Sequence, residues 1–440
     1  MTETRQRLPQ PRPHEEPPPT ARTSSLRLAL VAAGIAALGY FGGLPILIVV
    51  LAIVVMIFLH ELGHYLTARW AGMKVTEFFI GFGPRIWSYH RGETEYGLKA
   101  IPAGAYVRII GMHNLDEVDP ADEPRTYRQK PYWRRMSVAL AGSAMHFLIA
   151  LVLLFVIFVG FGVPDEGGWQ VRQVVPAGEG ASPAGEAGVE VGDRIVAVEG
   201  NEVDDFDALR AEVAARPGET VDLTVERDGT TFETSATLAE AVDADGRTVV
   251  TEEGEPVGFL GVSAEVSRER LGVIESTGRA FSDFGRLTAE SGKALGRFFT
   301  PSGLSSFADQ VFAPAEEPPE GVTTGSTVPA DEAGEERLVS IYGAARIGAQ
   351  AAETGAVGLL SFLVLINIFI GIFNLVPLLP LDGGHVAIAT YERLRSRGGE
   401  RYYVDVRKLL PVTYAVVVVL ITIGVAALYL DIANPIDLPN

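Results

Sequence analysis

Cysteine is absent from all 440 residues, and histidine occurs only seven times. Without cysteine there can be no disulfide, no thiolate nucleophile and no thiolate-ligated zinc or iron–sulfur site. Positive charge is also in short supply: 36 Lys and Arg face 55 Asp and Glu, for a formal net charge of −19. A nucleic-acid binder needs a basic face, so that class is disfavoured and no nucleic-acid partner is expected. The deficit is local. Between Gly160 and Gln350 there are 14 basic against 36 acidic residues, a net −22, while the remainder carries +3 and holds the long apolar runs. With a length that allows two or three units, the chain reads as a membrane protein with an acidic, water-soluble insert.

A bilayer crossing takes roughly 20 apolar residues. Runs of that kind lie at about Ile46–Ala68, Val138–Gly160, Val357–Leu379 and Leu410–Leu430. A shorter one, about Leu28–Phe41, is followed by Gly42, Gly43 and Pro45, which suit a tight turn, and is expected to be an extra span. Eleven Lys and Arg lie between Arg69 and Arg135, and a second basic loop runs from Arg393 to Lys408. The positive-inside rule puts both loops in the cytoplasm and the acidic insert outside. Five spans from an inside N-terminus satisfy every loop.

The second run ends MIFLHELGHYLTARWAG, with His60, Glu61 and His64 inside apolar sequence. Titratable groups in a spanning helix are costly and mark function by default. Four residues apart, His60 and His64 share a helix face and can hold one metal ion, with Glu61 beside them to polarise a water. The bland alternative is two helix-end histidines with an ordinary acidic neighbour, but few apolar helices tolerate three such groups unsatisfied. Steps of about 1.5 Å from Ile46 put His60 roughly 21 Å below the outer surface. In a core of about 30 Å that leaves roughly 10 Å to the inner face, so a polar cavity must open inward. Catalytic zinc commonly has three protein ligands and one open position. The run NIFIGIFNLVPLLPLDGGH offers the third: Pro377 and Pro380 break the helix and Asp382 follows, flanked by Gly383 and Gly384. An Asp there would also serve as a cap for the next helix.

On these motifs the chain resembles the site-2 protease family of intramembrane zinc metalloproteases, nearest to bacterial single-PDZ members that cleave membrane-spanning anti-sigma factors. The likeness runs from about Ile46 to Leu430. It implies an α-helical polytopic membrane protein of four or five transmembrane helices, with a membrane-associated β region and an inserted extracytoplasmic α+β PDZ domain. It further implies Zn2+ held by His60, His64 and Asp382, Glu61 as catalytic base, and Asn374 as support for substrate or transition state. The implied activity is hydrolysis of peptide bonds in or near the transmembrane segments of single-pass proteins, in regulated intramembrane proteolysis. The implied setting is the cell membrane, with the active site near its cytoplasmic face. GFGPRIWS (Gly81–Ser88) through KAIPAGAYVRIIGM (Lys99–Met112) looks like the β region of the family. The third span departs from the pattern: LAGSAMHFLIA carries Ser143 and His146 where many relatives have proline and asparagine. His146 is expected either to hydrogen-bond near the active site, as support for substrate or transition state rather than as a ligand, or to pack within the bundle, and His385 to act at most from behind the ligands.

Within the insert, SPAGEAGVEVGDRIVAVEG resembles a PDZ domain, with a short helix before a GDRI strand and closing strands at VDLTVERDG and FETSATL. The expected organisation is a Pro-rich disordered tail (1–27), the extra span (28–43), a first membrane metalloprotease part (44–163), the PDZ domain (164–266), an amphipathic segment with an acidic linker (267–340) and a second membrane part (341–440). In Gly272–Phe299, Val273, Ile274, Thr277, Phe281 and Phe284 fall nearly on one side. The competing reading is a catalytically inactive, membrane-anchored PDZ adaptor or chaperone. A zinc transporter is disfavoured by the lack of internal repeats.

Overall fold

The computed structural model describes residues 21–112, 116–176, 182–242, 247–251, 254–312, 322–324, 338–396 and 402–433. The expected tail up to residue 20 and, within the segment expected to hold the acidic linker (267–340), residues 313–321 and 325–337 lie outside these. Apolar sequence sustains the first helix, α1 (Ala21–Trp70), through 50 residues with a single break. Gly43 sits at φ 77°, ψ 170°, a conformation that costs glycine little and any other residue much. The Arg27 guanidinium donates to the Arg85 carbonyl at 2.5 Å. That bond brings the start of α1 to the β region packed on its far end, so its two halves double back at Gly43. The extra helix expected before Gly43 is the first half.

Val75–Arg91 (β1) and Thr94–Ile109 (β2) form the β region. These are not two plain strands. Phe78 is in register with both Val107 and Tyr96, and Phe79 with both Tyr106 and Gly97. The first half of β1 therefore lies between the two halves of β2, and the second half of β1 pairs with the first half of β2, giving four short segments in one sheet. Phe78, Val75 and Ile109 pack with Tyr65 and Ala68 of α1 and with Val138, which fixes the sheet against the helix end carrying the HELGH motif.

The expected third span is present as the single stretch Ala141–Phe161, with a separate short helix before it. α2 (Tyr132–Ala139) ends before Leu140 and α3 (Ala141–Val156) begins after it, closing in a π-turn at Ile157–Phe161. The insert follows. β3 (Val163–Val174) pairs with the last strand, and a short helix α4 (Pro183–Glu186) precedes β4 (Arg194–Val198) and β5 (Asn201–Glu202). After α5 (Phe206–Ala214) come β6 (Thr220–Arg227) and β7 (Thr230–Thr237), giving the antiparallel order β5-β4-β6-β7. Small strands β8 (Ala239–Glu240), β9 (Thr248–Val250) and β10 (Gly258–Phe259) lead to β11 (Val262–Glu269), the partner of β3. Ile195, Val198, Leu209, Leu223 and Val225 fill this unit's own core.

α6 (Val273–Phe298) is amphipathic, but the apolar stripe read from sequence is split. Ala280 and Phe284 pack into a core with Ala150, Leu154 and Ile368, whereas Phe281 and Ile274 are exposed, Ile274 by 90%. α7 (Pro301–Phe312) and α8 (Ile341–Glu353) lead to α9 (Ala356–Asn374). α9 stops five residues short of the expected Leu379, since Pro377 and Pro380 cannot continue it. α10 (Asp382–Arg395) starts at the candidate ligand itself, and α11 (Leu410–Ala433) closes the chain. Four helices, Ser25–Trp70, Ala141–Phe161, Ala356–Asn374 and Leu410–Ala433, are long and apolar enough to cross a membrane. On α11, Val418, Ile421, Val425 and Ile432 face outward, as lipid-facing side chains would.

Candidate metal centre

His60 and His64 stand one turn apart on α1, and their Nε2 atoms are 3.2 Å from each other. Asp382, from the other end of the sequence, brings Oδ2 to 3.5 Å from His60 Nε2 and 3.3 Å from His64 Nε2. One ligand atom from each of these residues falls within a 4.8 Å group, which suits a single ion. The Asp382 Oδ2 is buried and has no hydrogen-bond partner, a costly condition that a cation would relieve. Two imidazoles and a carboxylate around an open fourth direction are a donor set fitted to catalytic zinc.

The surrounding backbone aims these groups. Because α2 ends at Ala139, its last carbonyls have no partner further along the helix. The Val138 carbonyl accepts from His64 Nδ1 at 2.8 Å, which leaves the Nε2 lone pair free for metal. The start of α3 comes close enough that a Cβ on Gly142 would lie 2.6 Å from Nε2 of both His60 and His64. Only glycine lets the two helices approach so far. Gly383 has a similar part: a Cβ there would strike the carbonyls of Leu375 and Val376, so its absence lets α10 tuck against the turn leaving α9. Beside the ligands, the Glu61 carboxylate accepts from the Val107 backbone of β2 and lies within electrostatic reach of His64 and Asp382.

Of the remaining sequence candidates, His146 is brought beside the three candidate ligands. The His146 ring lies 5.1 Å from that of His60, and its Nδ1 hydrogen-bonds Asn367 Oδ1 at 2.8 Å. Asn367, fully buried on α9, donates in turn to the Leu363 carbonyl and the Met56 sulfur, both at 2.7 Å. His146 thus packs in the bundle and hydrogen-bonds Asn367 beside the candidate ligands. Asn374 is the half-buried last residue of α9, eight positions before Asp382. His385, three residues after Asp382 on α10, has its ring 6.4 Å from that of Tyr127 and lines a cavity with Arg135 and Glu392. Sequence reading missed Val138, Gly142 and Asn367. For Asn367 the signal was present: it is a lone amide in an apolar run.

The profile described as Peptidase family M50 matches residues 48–420. The chain is 35% identical over 421 residues to the zinc metalloprotease Rip1 of Mycobacterium tuberculosis, covering 89% of this chain and 98% of that protein. It is 30% identical over 363 residues to a putative zinc metalloprotease of Brucella suis, covering 78% and 84%. A solved PDZ domain of an SdrC-like protein from Listeria monocytogenes matches 23% of this chain and 90% of that domain, at 17% identity and a TM-score of 0.17, and no conclusion rests on it.

Proposed function

This chain belongs to peptidase family M50, and from that premise we propose that His60, His64 and Asp382 hold its zinc and that Glu61 is its catalytic base. The protein is a zinc metalloprotease. Its substrates, on this reading, are membrane-spanning segments of single-pass proteins, anti-sigma factors among them, cut within the bilayer near its cytoplasmic face. Five spans serve, with the two halves of α1 crossing separately, and the β3–β11 unit stands outside as a PDZ domain. The convergence of three ligand atoms from residues 60, 64 and 382 carries this reading.

Bound there, zinc supplies Lewis acidity toward a carbonyl and a water pKa lowered toward about 7. The protein does the rest. Val138 holds His64 in one tautomer, and the Val107 N–H holds the Glu61 carboxylate toward the site. Glu61 takes the proton of the attacking water and returns it to the departing amide nitrogen. A helical substrate conceals its carbonyls in intrahelical bonds and must be unwound first. The second half of β2 has a strand neighbour on one side only among the described residues, and its other side carries the N–H that meets Glu61. An unwound segment added along that edge would lie beside the base.

Glu61→Gln keeps the size of the side chain and removes its basicity. Purified in detergent and given a single-pass substrate, this variant is expected to lose at least 100-fold in cleavage, in line with the usual worth of general base catalysis, with zinc content equal to wild type. Normal cleavage by Glu61→Gln would refute the assignment.

A further inference from the structure

An open cleft of about 290 Å³ lies between α2 and the end of α10, apart from the metal centre. Lys130, Tyr132, Trp133, Arg393, Tyr402 and Tyr403 line it, over a floor formed by the buried Arg135–Glu392 pair. Its charges are unequally matched. Arg128 is paired with Glu123 at 2.6 Å and Arg135 with Glu392 at 2.5 Å. Lys130 and Arg393 have no ion-pair partner among the described residues. Burial, then the nearby Arg134 and Arg125, push the Lys130 ammonium below the usual lysine range, and no acid offsets them. An anion in the cleft would relieve that repulsion.

The rim is aromatic and apolar. Trp133 is 76% exposed, and Tyr402 and Tyr403 are exposed beside it. Leu140 and Leu394 are exposed too, at the end of α2 and next to Arg393. Two helices of membrane-spanning length start close by in sequence, α3 at Ala141 and α11 at Leu410. Tryptophan and tyrosine concentrate at headgroup depth, and basic pockets at the cytoplasmic ends of spanning helices suit anionic lipid headgroups. A peptide would want a strand edge to pair with, and this cleft is walled by helices and a turn.

We propose that the cleft binds the phosphate headgroup of an anionic glycerophospholipid, with Lys130 and Arg393 on the phosphate and Trp133, Tyr402 and Tyr403 at headgroup level. This rests on the reading of the chain as bilayer-embedded with α2 and α10 at the cytoplasmic face. The site would tie enzyme placement to the charge of the inner leaflet.

The test uses full-length Glu61→Gln protein in nanodiscs of phosphatidylcholine, alone or with phosphatidylglycerol, followed by native mass spectrometry of the lipid retained after detergent release. Phosphatidylglycerol is expected to be retained about thirtyfold over phosphatidylcholine, which is what two surface cations supply. Lys130→Glu with Arg393→Glu is expected to bring the two lipids to parity, while Lys130→Arg with Arg393→Lys preserves the preference. Equal retention of both lipids by the parent protein, or an undiminished preference after charge reversal, would overturn the proposal. So would displacement of the lipid by millimolar inorganic phosphate or by an acidic peptide at equal concentration. Zinc content measured on the same samples reports on the metal centre separately, so failure of one reading leaves the other standing.

Discussion

At the scale of single residues, the metal centre depends on what is missing as much as on what is present. Gly142 contributes no side chain, and that absence lets α3 reach both imidazoles. Gly142→Ala is expected to keep or raise helix content, since alanine is the better helix former, yet to lower zinc retention at least tenfold, measured as metal per chain after dialysis against a chelator. Asn367→Leu removes the partner of the buried His146 Nδ1 and is expected to cost about 1–3 kcal/mol, read as a lower unfolding temperature in detergent. The convergence of His60, His64 and Asp382 could be anticipated from sequence because they, like Glu61, are expensive side chains in or beside apolar helices. Gly142 and Val138 could not. One acts through an empty volume and the other through a carbonyl, and neither leaves a chemical mark on the sequence.

At the scale of elements, one of the links between the two membrane parts, beside the α3–α9 packing, is the contact of α2 with α10. Arg135 Nη1 meets Glu392 Oε2 at 2.5 Å with both side chains buried, and Glu392 Oε1 accepts from the Val404 N–H at 2.8 Å. α2 carries the Val138 carbonyl that holds His64, and α10 begins at Asp382, so this ion pair spans the distance between ligands from opposite ends of the chain. Arg135→Ala would strand a buried carboxylate, at a cost of about 3–5 kcal/mol. It is expected to lower both the unfolding temperature and zinc retention, whereas a purely local role would leave the zinc unchanged. In the insert, Arg227 hydrogen-bonds Asp193 at 2.7 Å and holds its carboxyl below the usual aspartate range. A depressed pKa in the folded state adds stability above the unfolded value of about 3.9, and this is lost as pH falls through the lower, folded value. Acid unfolding of the insert followed by circular dichroism should therefore start at higher pH in Arg227→Met. Element by element, the end of α9 could be anticipated from Pro377 and Pro380. The four-segment pairing of β1 and β2 could not, because it is set by contacts between residues such as Phe78 and Tyr96 that alternation alone does not match up. The facing of α6 was misjudged for a related reason: its apolar residues exceed one stripe, and α3 and α9 select which of them to bury.

At the scale of the whole molecule, the chain divides its labour between an acidic unit with its own core and a set of apolar helices that enclose a polar point. That division was visible in the charge distribution, with −22 confined to the insert region. Its consequence is a candidate metal centre built from residues more than 300 positions apart, which forms only when both membrane parts are assembled. Zinc X-ray absorption on the purified full-length protein, wild type beside Asp382→Ala, addresses that claim most directly. One zinc per chain is expected in the wild type, with two imidazole nitrogens at about 2.0–2.1 Å and a carboxylate oxygen at about 2.0–2.2 Å. Asp382→Ala should lose the metal or the carboxylate scatterer. A zinc whose surroundings are the same in both proteins would contradict the assignment of His60, His64 and Asp382 as its ligands.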